Sequence, residues 1–388
     1  MKNKNKKEKF KNMQNKKIRK LITMFDWRES PTFRRYSKAI DRTCQKIIKT
    51  LHETGTNNLS LLAKKTGMSP ALVHYYYDKL TSKNILKLKV KINVVNMGLQ
   101  PIEVIFKDEG GERESNLESH LKSIEYWRNL EKYYVQMDTY WHAYFNVPRE
   151  AINEFNKYIR SVGEKAHVKI VYMNTNPIDI NPKPNVDWFN DEERRWEFKW
   201  KEWVDEVILS NKEVDLTVPK MGEFIVLDKL DVFIIQKLEE DAETSFKEMA
   251  NEMGVTPPTV RYHYYKHLIK YDIIEGYEAA LKLFPENISI NVLGHIQFTN
   301  RKNMNNFIAS LEGKPFSSRV LANLEDNKAT VYFYIPFDQI VELNKALISI
   351  KRMGIIKDCI IGLIDYKSKM EKKLPMNLYE KGGWKLIF

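Results

Sequence analysis

Leu62-Ala63-x-x-x-Gly67-x-Ser69-Pro70-x-x-Val73-His74-Tyr75 recurs downstream as Met249-Ala250-x-x-x-Gly254-x-Thr256-Pro257-x-x-Val260-Arg261-Tyr262. The offset is 254 − 67 = 187 residues, and Asp41, Ile48 and Leu51 find Asp228, Ile235 and Leu238 at the same distance. A duplication of so long a period reads as two domains rather than a solenoid. Ile47, Ile48 and Leu51, and again Ile234, Ile235 and Leu238, give one apolar helix face. A short second helix over Leu59, Leu62 and Ala63 ends at Gly67, as its repeat ends at Gly254, because glycine takes the left-handed conformation without a steric penalty. Ser69 or Thr256 then caps a third helix with Pro70 or Pro257 at its first position, where a missing N–H costs nothing. Helix, turn and capped helix in this order predict a helix-turn-helix whose last helix is of the recognition type.

In such a helix the residues that turn away from the core line the groove. In the first copy Val73, Tyr77 and Leu80 read as inward, leaving Ser69, Ala71, His74, Tyr75, Tyr76 and Lys79 as candidate DNA contacts. In the second Val260 and Tyr264 read as inward, leaving Thr256, Thr259, Arg261, Tyr262, His263 and Lys266. Arg261 suits a bidentate guanine contact, and Thr259, Lys266 and the tyrosine hydroxyls suit phosphate. The second helix is the more basic, so it is expected to carry more of the specificity. His263 and His267 stand four apart and could share a metal, but no Cys, Glu or third His lies at ligand spacing, so phosphate contact or plain exposure is expected and no metal is assigned.

The chain has 388 residues, 43% of them hydrophobic, enough for two or more packed cores. Its formal charge of +12 is uneven: residues 1–20 hold ten basic groups and Glu8, which is 10 − 1 = +9, leaving 12 − 9 = +3 for everything else. That Lys- and Asn-rich stretch is expected to be disordered, either a phosphate-binding arm or a solubilising end. Cys44 and Cys359 lie far apart without a CxxC spacing, which excludes a disulfide framework and a zinc finger and fits a reducing cytoplasm. No apolar run approaches a membrane span.

After each helix-turn-helix, alternation and helical periodicity predict strand, helix, strand, strand, helix, strand. In the first half these fall at residues 102–106, 116–127, 133–137, 140–147, 150–161 and 168–173; in the second at 294–298, 304–311, 320–323, 329–335, 337–350 and 358–364. This is the ferredoxin-like βαββαβ order. The fold class is therefore α+β, two winged helix-turn-helix domains each followed by a ferredoxin-like sandwich. The expected domains are a basic arm at 1–36, winged helix-turn-helix at 37–97, ferredoxin-like domain at 98–182, Trp-rich helical linker at 183–224, second winged helix-turn-helix at 225–284, second ferredoxin-like domain at 285–368 and a tail at 369–388. In the linker a helix over 191–209 would align Trp196, Trp200, Trp203 and Val207 on one face as a strut between domains. The wings, at 86–95 and 274–283, would brace a DNA backbone, with Lys87, Lys89 and Lys91 on one side.

Tyr271-Asp272-Ile273-Ile274-Glu275-Gly276-Tyr277-Glu278-Ala279, followed by Val292-Leu293-Gly294 at a strand start, resembles the wing and linker of the Lrp/AsnC transcription regulators. The resemblance covers 228–364 well and 41–173 more loosely, through Ile85-Leu86 and Met97-Gly98-Leu99. It implies sequence-specific binding of double-stranded DNA, pairing through the ferredoxin-like sheets, which would also serve a homo-oligomer, and in that family amino-acid sensing. Where the family carries a Gly-x-x-Asp step, this chain has Thr139 and His142, and Asn327 and Thr330, so a small-molecule effector is left open. Thr139 to His142 could line another pocket or simply pack as a strand.

Three functions compete on these residues. A transcription regulator, with one chain acting as an internal pseudo-dimer, accounts for both signatures; a protein-interaction module built on winged helices is the alternative. An enzyme is not expected, because the sequence carries no P-loop, dinucleotide fingerprint, nucleophile elbow or His-rich metal motif. No catalytic residue and no cofactor are assigned.

Overall fold

The structure is a computed structural model that describes residues 31–109, 116–209, 216 and 225–387. Most of the expected basic arm lies outside the described residues; its last part is helical, α1 spanning Pro31–Ser37, with Phe33 buried. The first helix-turn-helix follows as α2 (Arg42–Thr54), α3 (Leu59–Thr66) and α4 (Pro70–Thr81), then β1 (Leu86–Ile92). The first ferredoxin-like unit is β2 (Leu99–Asp108), α5 (Leu117–Lys122), β3 (Trp127–Val135), β4 (Asp138–Pro148), α6 (Ile152–Lys165) and β5 (Val168–Asn174). Beyond it come β6 (Ile178–Ile180), β7 (Phe189–Asn190), β8 (Arg195–Trp196) and α7 (Trp200–Leu209).

The second half repeats the order. Its helix-turn-helix is α8 (Lys229–Glu240), α9 (Phe246–Met253) and α10 (Pro257–His263), which runs on into a π-helical turn at Tyr264–Ile269, then β9 (Ile274–Leu281). Its sheet unit is β10 (Ser289–Phe298), α11 (Arg301–Leu311), β11 (Ser317–Asn323), β12 (Lys328–Pro336), α12 (Ile340–Arg352) and β13 (Ile356–Ile364). The chain ends in β14 (Met370–Glu371), β15 (Tyr379–Glu380) and β16 (Gly383–Trp384). The turn chemistry is as read: Gly67 and Gly254 close α3 and α9 at φ of 69° and 67°, a conformation a Cβ would strain.

Each four-stranded sheet has the antiparallel ferredoxin-like order, β5-β2-β4-β3 and β13-β10-β12-β11, and the two are joined where Leu363 and Ile364 of β13 meet Tyr134 and Tyr133 of β3. The halves also exchange strands. β6, from the end of the first half, adds to β11 through Ile178 to Ile180, and β14, from the end of the second, adds to β3 through Met370 and Glu371. Hairpins that follow these strands close over the helix-turn-helix domains: Phe189 and Trp196 of β7 and β8 join the core of the first, and Tyr379 of β15 that of the second.

Four expectations change here. The wings do not stand free: β1 and β9 pair antiparallel with each other from Leu86 opposite Leu281 to Ile92 opposite Ile274, which satisfies each backbone edge with the other. The helix expected over 116–127 stops at Lys122, and Trp127 opens β3 instead. The helix expected over 191–209 starts only at Trp200, so the tryptophans do not share one face. Trp196 packs with the first helix-turn-helix and Trp203 with the second ferredoxin-like core, its indole N–H donating to Ser310 Oγ at 2.9 Å. The expected tail is part of the fold, since Leu374, Met376, Leu378 and Tyr379 are all buried.

The cores are crossed. The first ferredoxin-like unit shares its core with the second helix-turn-helix, and the first helix-turn-helix packs on Leu283, Phe284 and Ile288 at the entry to the second unit. Arg128 on β3 forms an ion pair with Glu239 at the end of α8, tying the second helix-turn-helix to the first sheet.

Candidate nucleic-acid interface

Both recognition helices present one buried stripe and one open face. In α4 Val73, Tyr77 and Leu80 are buried, as their spacing predicts. Ser69 Oγ accepts the Leu72 N–H at 3.3 Å, and Ser69, Ala71, His74 and Tyr75 are exposed. Tyr76 and Lys79 are not free for a groove. Lys79 Nζ lies 2.9 Å from Asp41 Oδ2 and 4.9 Å from the centre of the Tyr76 ring, so the ammonium is held against α2. Burial disfavours the charge on Asp41, but the Cys44 N–H and the Lys79 ammonium outweigh it and hold the carboxyl below its usual range.

In α10 Val260 and Tyr264 are buried, while Thr256, Arg261, Tyr262 and Lys266 are exposed. The Arg261 guanidinium lies 5.7 Å from the Tyr265 ring, an arrangement that steadies a cation without burying it. Thr256 departs from its expected role: its hydroxyl makes no cap bond to the backbone and instead meets the Thr259 hydroxyl at 2.8 Å, and Thr259 is half-buried. His263 departs further. Its Nδ1 lies 2.9 Å from Asp231 Oδ1, and His267 Nδ1 lies 3.1 Å from the same carboxylate, so both rings turn toward α8 rather than outward. Asp231 is buried on the inward side of α8 beside Ile234 and Ile235. Sequence reasoning passed over it, although an acidic residue inside an apolar stripe was the signal.

A second polar site lies between the sheets. His142 on β4 is fully buried, with Nε2 3.0 Å from Glu103 on β2 and Nδ1 3.3 Å from Glu131 on β3. Tyr332, from β12 of the other sheet, donates to Glu131 and meets His142 Nδ1 at 2.9 Å. Burial opposes the imidazolium, but hydrogen bonds to Glu103 and Glu131 outweigh it and lift His142 to about 9. Beside this cluster a cavity of about 500 Å³ is walled by Tyr133, Tyr140, Tyr172, His295 and Thr330 among others. Burial pushes His295 down to about 4, so it is neutral, with Nδ1 3.0 Å from the Thr330 hydroxyl. Of the residues weighed as pocket or packed strand, Tyr140 lines the cavity, His142 joins the cluster and Trp141 is buried in the first core. Glu103 and Glu131 were not singled out; Glu103 in the middle of an apolar strand was the legible sign.

Residues 227–263 match the AsnC-type helix-turn-helix domain, and residues 40–87 match the winged helix-turn-helix DNA-binding family. No curated protein matches the chain. Among solved structures it is similar to the siroheme decarboxylase NirDL, at 11% identity and a TM-score of 0.46, over 85% of this chain and 92% of that one. The structure of Escherichia coli AsnC is similar at 21% identity and a TM-score of 0.31, over 38% of this chain and 98% of that one. The Mycobacterium tuberculosis leucine response regulatory protein is similar at 19% identity and a TM-score of 0.25, over 34% of this chain and 88% of that one. One expectation is corrected here: two solved structures that match over most of this chain are those of an enzyme, so the lack of familiar catalytic motifs does not exclude one. Among the described residues no helix is long and apolar enough to cross a membrane. Each half thus carries a helix-turn-helix followed by a ferredoxin-like sheet, the second helix-turn-helix matching the AsnC type and the first a winged DNA-binding family.

Proposed function

We propose that this is a sequence-specific transcription regulator of the cytoplasm in which one chain acts as an internal pseudo-dimer, the second helix-turn-helix supplying most of the base readout. The observation that carries it is Arg261, exposed early on a Pro-started recognition helix and flanked by exposed Tyr262 and Lys266. A guanidinium there has the fork geometry for guanine O6 and N7, while Lys266 and the tyrosine hydroxyl suit phosphate. Pairing of β1 with β9 and of β3 with β13 supports the pseudo-dimer, because the contacts that would otherwise need a second chain are made within one. Unequal helices then call for an asymmetric site. Selection of bound duplexes from a random pool, followed by affinity measurement across salt concentrations, tests the reading. Binding that falls steeply with salt and an asymmetric motif are expected. Failure to bind any duplex at low salt would sink it in favour of winged helices that contact protein.

A second reading rests on the chamber between the sheets. Tyr133 Oη, Tyr172 Oη and His295 Nε2 on its wall, and Glu103 Oε2 in the adjoining cluster, are buried without a hydrogen-bond partner among the described residues. Leaving several such atoms unpaired is costly, and a polar small molecule in the chamber would pair them. We propose that it binds one, as effector or substrate. Mass spectrometry of compounds released from the natively purified chain, compared with a Tyr172→Phe variant, decides this; identical small-molecule profiles from both would overturn it.

A further inference from the structure

We propose that the second helix-turn-helix holds a divalent transition-metal ion of the Zn²⁺ type between Asp228, Asp231, His263 and His267. One ligand atom from each lies within 4.8 Å of all the others. His263 Nδ1 is 2.9 Å from Asp231 Oδ1 and 3.5 Å from Asp228 Oδ2, and His267 Nδ1 is 3.1 Å from Asp231 Oδ2. Two ligands roughly 2.0–2.1 Å from a shared tetrahedral centre stand about 3.3 Å apart, so these separations need little adjustment to close around an ion. Two imidazole nitrogens and two carboxylate oxygens form a borderline donor set, which favours Zn²⁺ or a neighbouring first-row ion over Mg²⁺ or Ca²⁺.

The duplication supplies the argument that these residues do more than build the fold. At the offset of 187, Asp231 corresponds to Cys44 and His263 to Tyr76; the π-helical turn then adds one residue, so that Leu268 takes the place of Leu80 and His267 that of Lys79. The first copy packs the same helices at the same place with Cys44 buried and Tyr76 half-buried, no ionised group at either of those two positions, and Lys79 turned onto Asp41. The second copy buries a carboxylate there and aims two imidazoles at it, a choice that costs desolvation and that the packing does not demand. Asp231 Oδ2 also accepts the Asp228 N–H at 3.1 Å, while Oδ1 faces both histidines, at 2.9 Å from His263 and 3.1 Å from His267. The recognition helix also widens into its π-helical turn at Tyr264–Ile269, which begins just after His263 and contains His267, a distortion often found at functional sites. An ion bound here links the N-terminus of α8 to the recognition helix.

The test uses the full chain, stripped with a chelator and titrated with Co²⁺. The expected result is a saturable tetrahedral d–d absorption equivalent to one ion per chain, displaced by Zn²⁺, and a Zn²⁺-dependent rise in melting temperature. H263Y/H267K installs the residues of the first copy at those positions and is expected to lose both effects while keeping the metal-free circular dichroism. Should that variant not fold, Asp228→Asn keeps the helix cap and removes one charged ligand, and should weaken Co²⁺ binding on the order of tenfold. No saturable absorption in the wild-type chain, or equal affinity in the variants, overturns the proposal. Nucleic acid takes no part in these measurements, so their failure leaves the reading of the recognition helices untouched.

Discussion

The two helix-turn-helix copies share their caps, glycines and inward stripe, yet they dispose of charge in opposite ways. In the first, Lys79 is drawn onto Asp41, and the position of Arg261 is taken by His74. In the second, Asp228 keeps the place of Asp41 but meets His263 at 3.5 Å rather than a lysine, Lys266 stays exposed, and a further carboxylate, Asp231, is buried against two histidines. One copy spends its basic residue on its own stability and the other leaves its cations to solvent. The comparison shows that a duplicated scaffold can keep its architecture while its open face changes, because the buried stripe that builds the helix pair and the exposed face that would meet a partner lie on different sides of the same helix.

The largest expected effect sharpens that contrast directly. Arg261→Ala should lower affinity for the selected duplex by about 1–3 kcal/mol and relax base preference at one position, whereas His74→Ala should cost well under 1 kcal/mol; fluorescence anisotropy on the selected site and its single-base variants reads both. Equal losses would erase the asymmetry between the copies. Next, Asp231→Ala should destabilise the chain by about 1–3 kcal/mol in urea unfolding, because the Asp228 N–H and two imidazoles lose their acceptor, while Cys44→Ala should stay near about 1 kcal/mol.

The two sheets differ in the same manner, and pH separates them. His142 stands opposite Ile105 on the first sheet and His295 opposite Thr330 on the second. His142, lifted to about 9 in the fold, contributes stability that is complete below an unfolded value of ~6.5 and is lost as pH rises through about 9. His295, held down at about 4, contributes stability present above ~6.5 and lost as pH falls toward 4. His142→Gln should therefore flatten the alkaline side of the stability profile and His295→Gln the acid side, measured as urea midpoints across pH; one shared slope would contradict the assignment. The smallest effect concerns the lysines. Lys79→Ala should change stability by no more than about 1 kcal/mol and leave the salt dependence of DNA binding alone, while Lys266→Ala should reduce that salt slope by about 1.

Much of this is legible in the sequence. Gly67, Gly254, Ser69, Pro70 and Pro257 mark helix ends by local conformation, and the inward stripes of α4 and α10 follow from spacing alone. The βαββαβ order was readable in both halves because strand alternation is local. What escaped had partners far along the chain. Trp196 and Trp203 have helical spacing yet serve different cores, since Trp196 closes the β7–β8 hairpin and Trp203 lies on α7, which starts only at Trp200. His263 looked like a groove contact because nothing near it in sequence reveals Asp231 across the helix pair. His142 could not be told from a packed strand residue without Glu103, Glu131 and Tyr332 beside it.

By itself, then, the order of residues determined the repeated helix-turn-helix, its caps and stops, and the antiparallel α+β plan, for these rest on backbone conformations and periodicities set within a few residues. Tertiary structure alone decided that β1 would pair with β9, that β6 and β14 would cross to the opposite sheets, and which polar side chains would meet inside. Those outcomes depend on whole surfaces competing to bury apolar area and to satisfy buried hydrogen-bonding groups. That competition is settled only when distant segments come together.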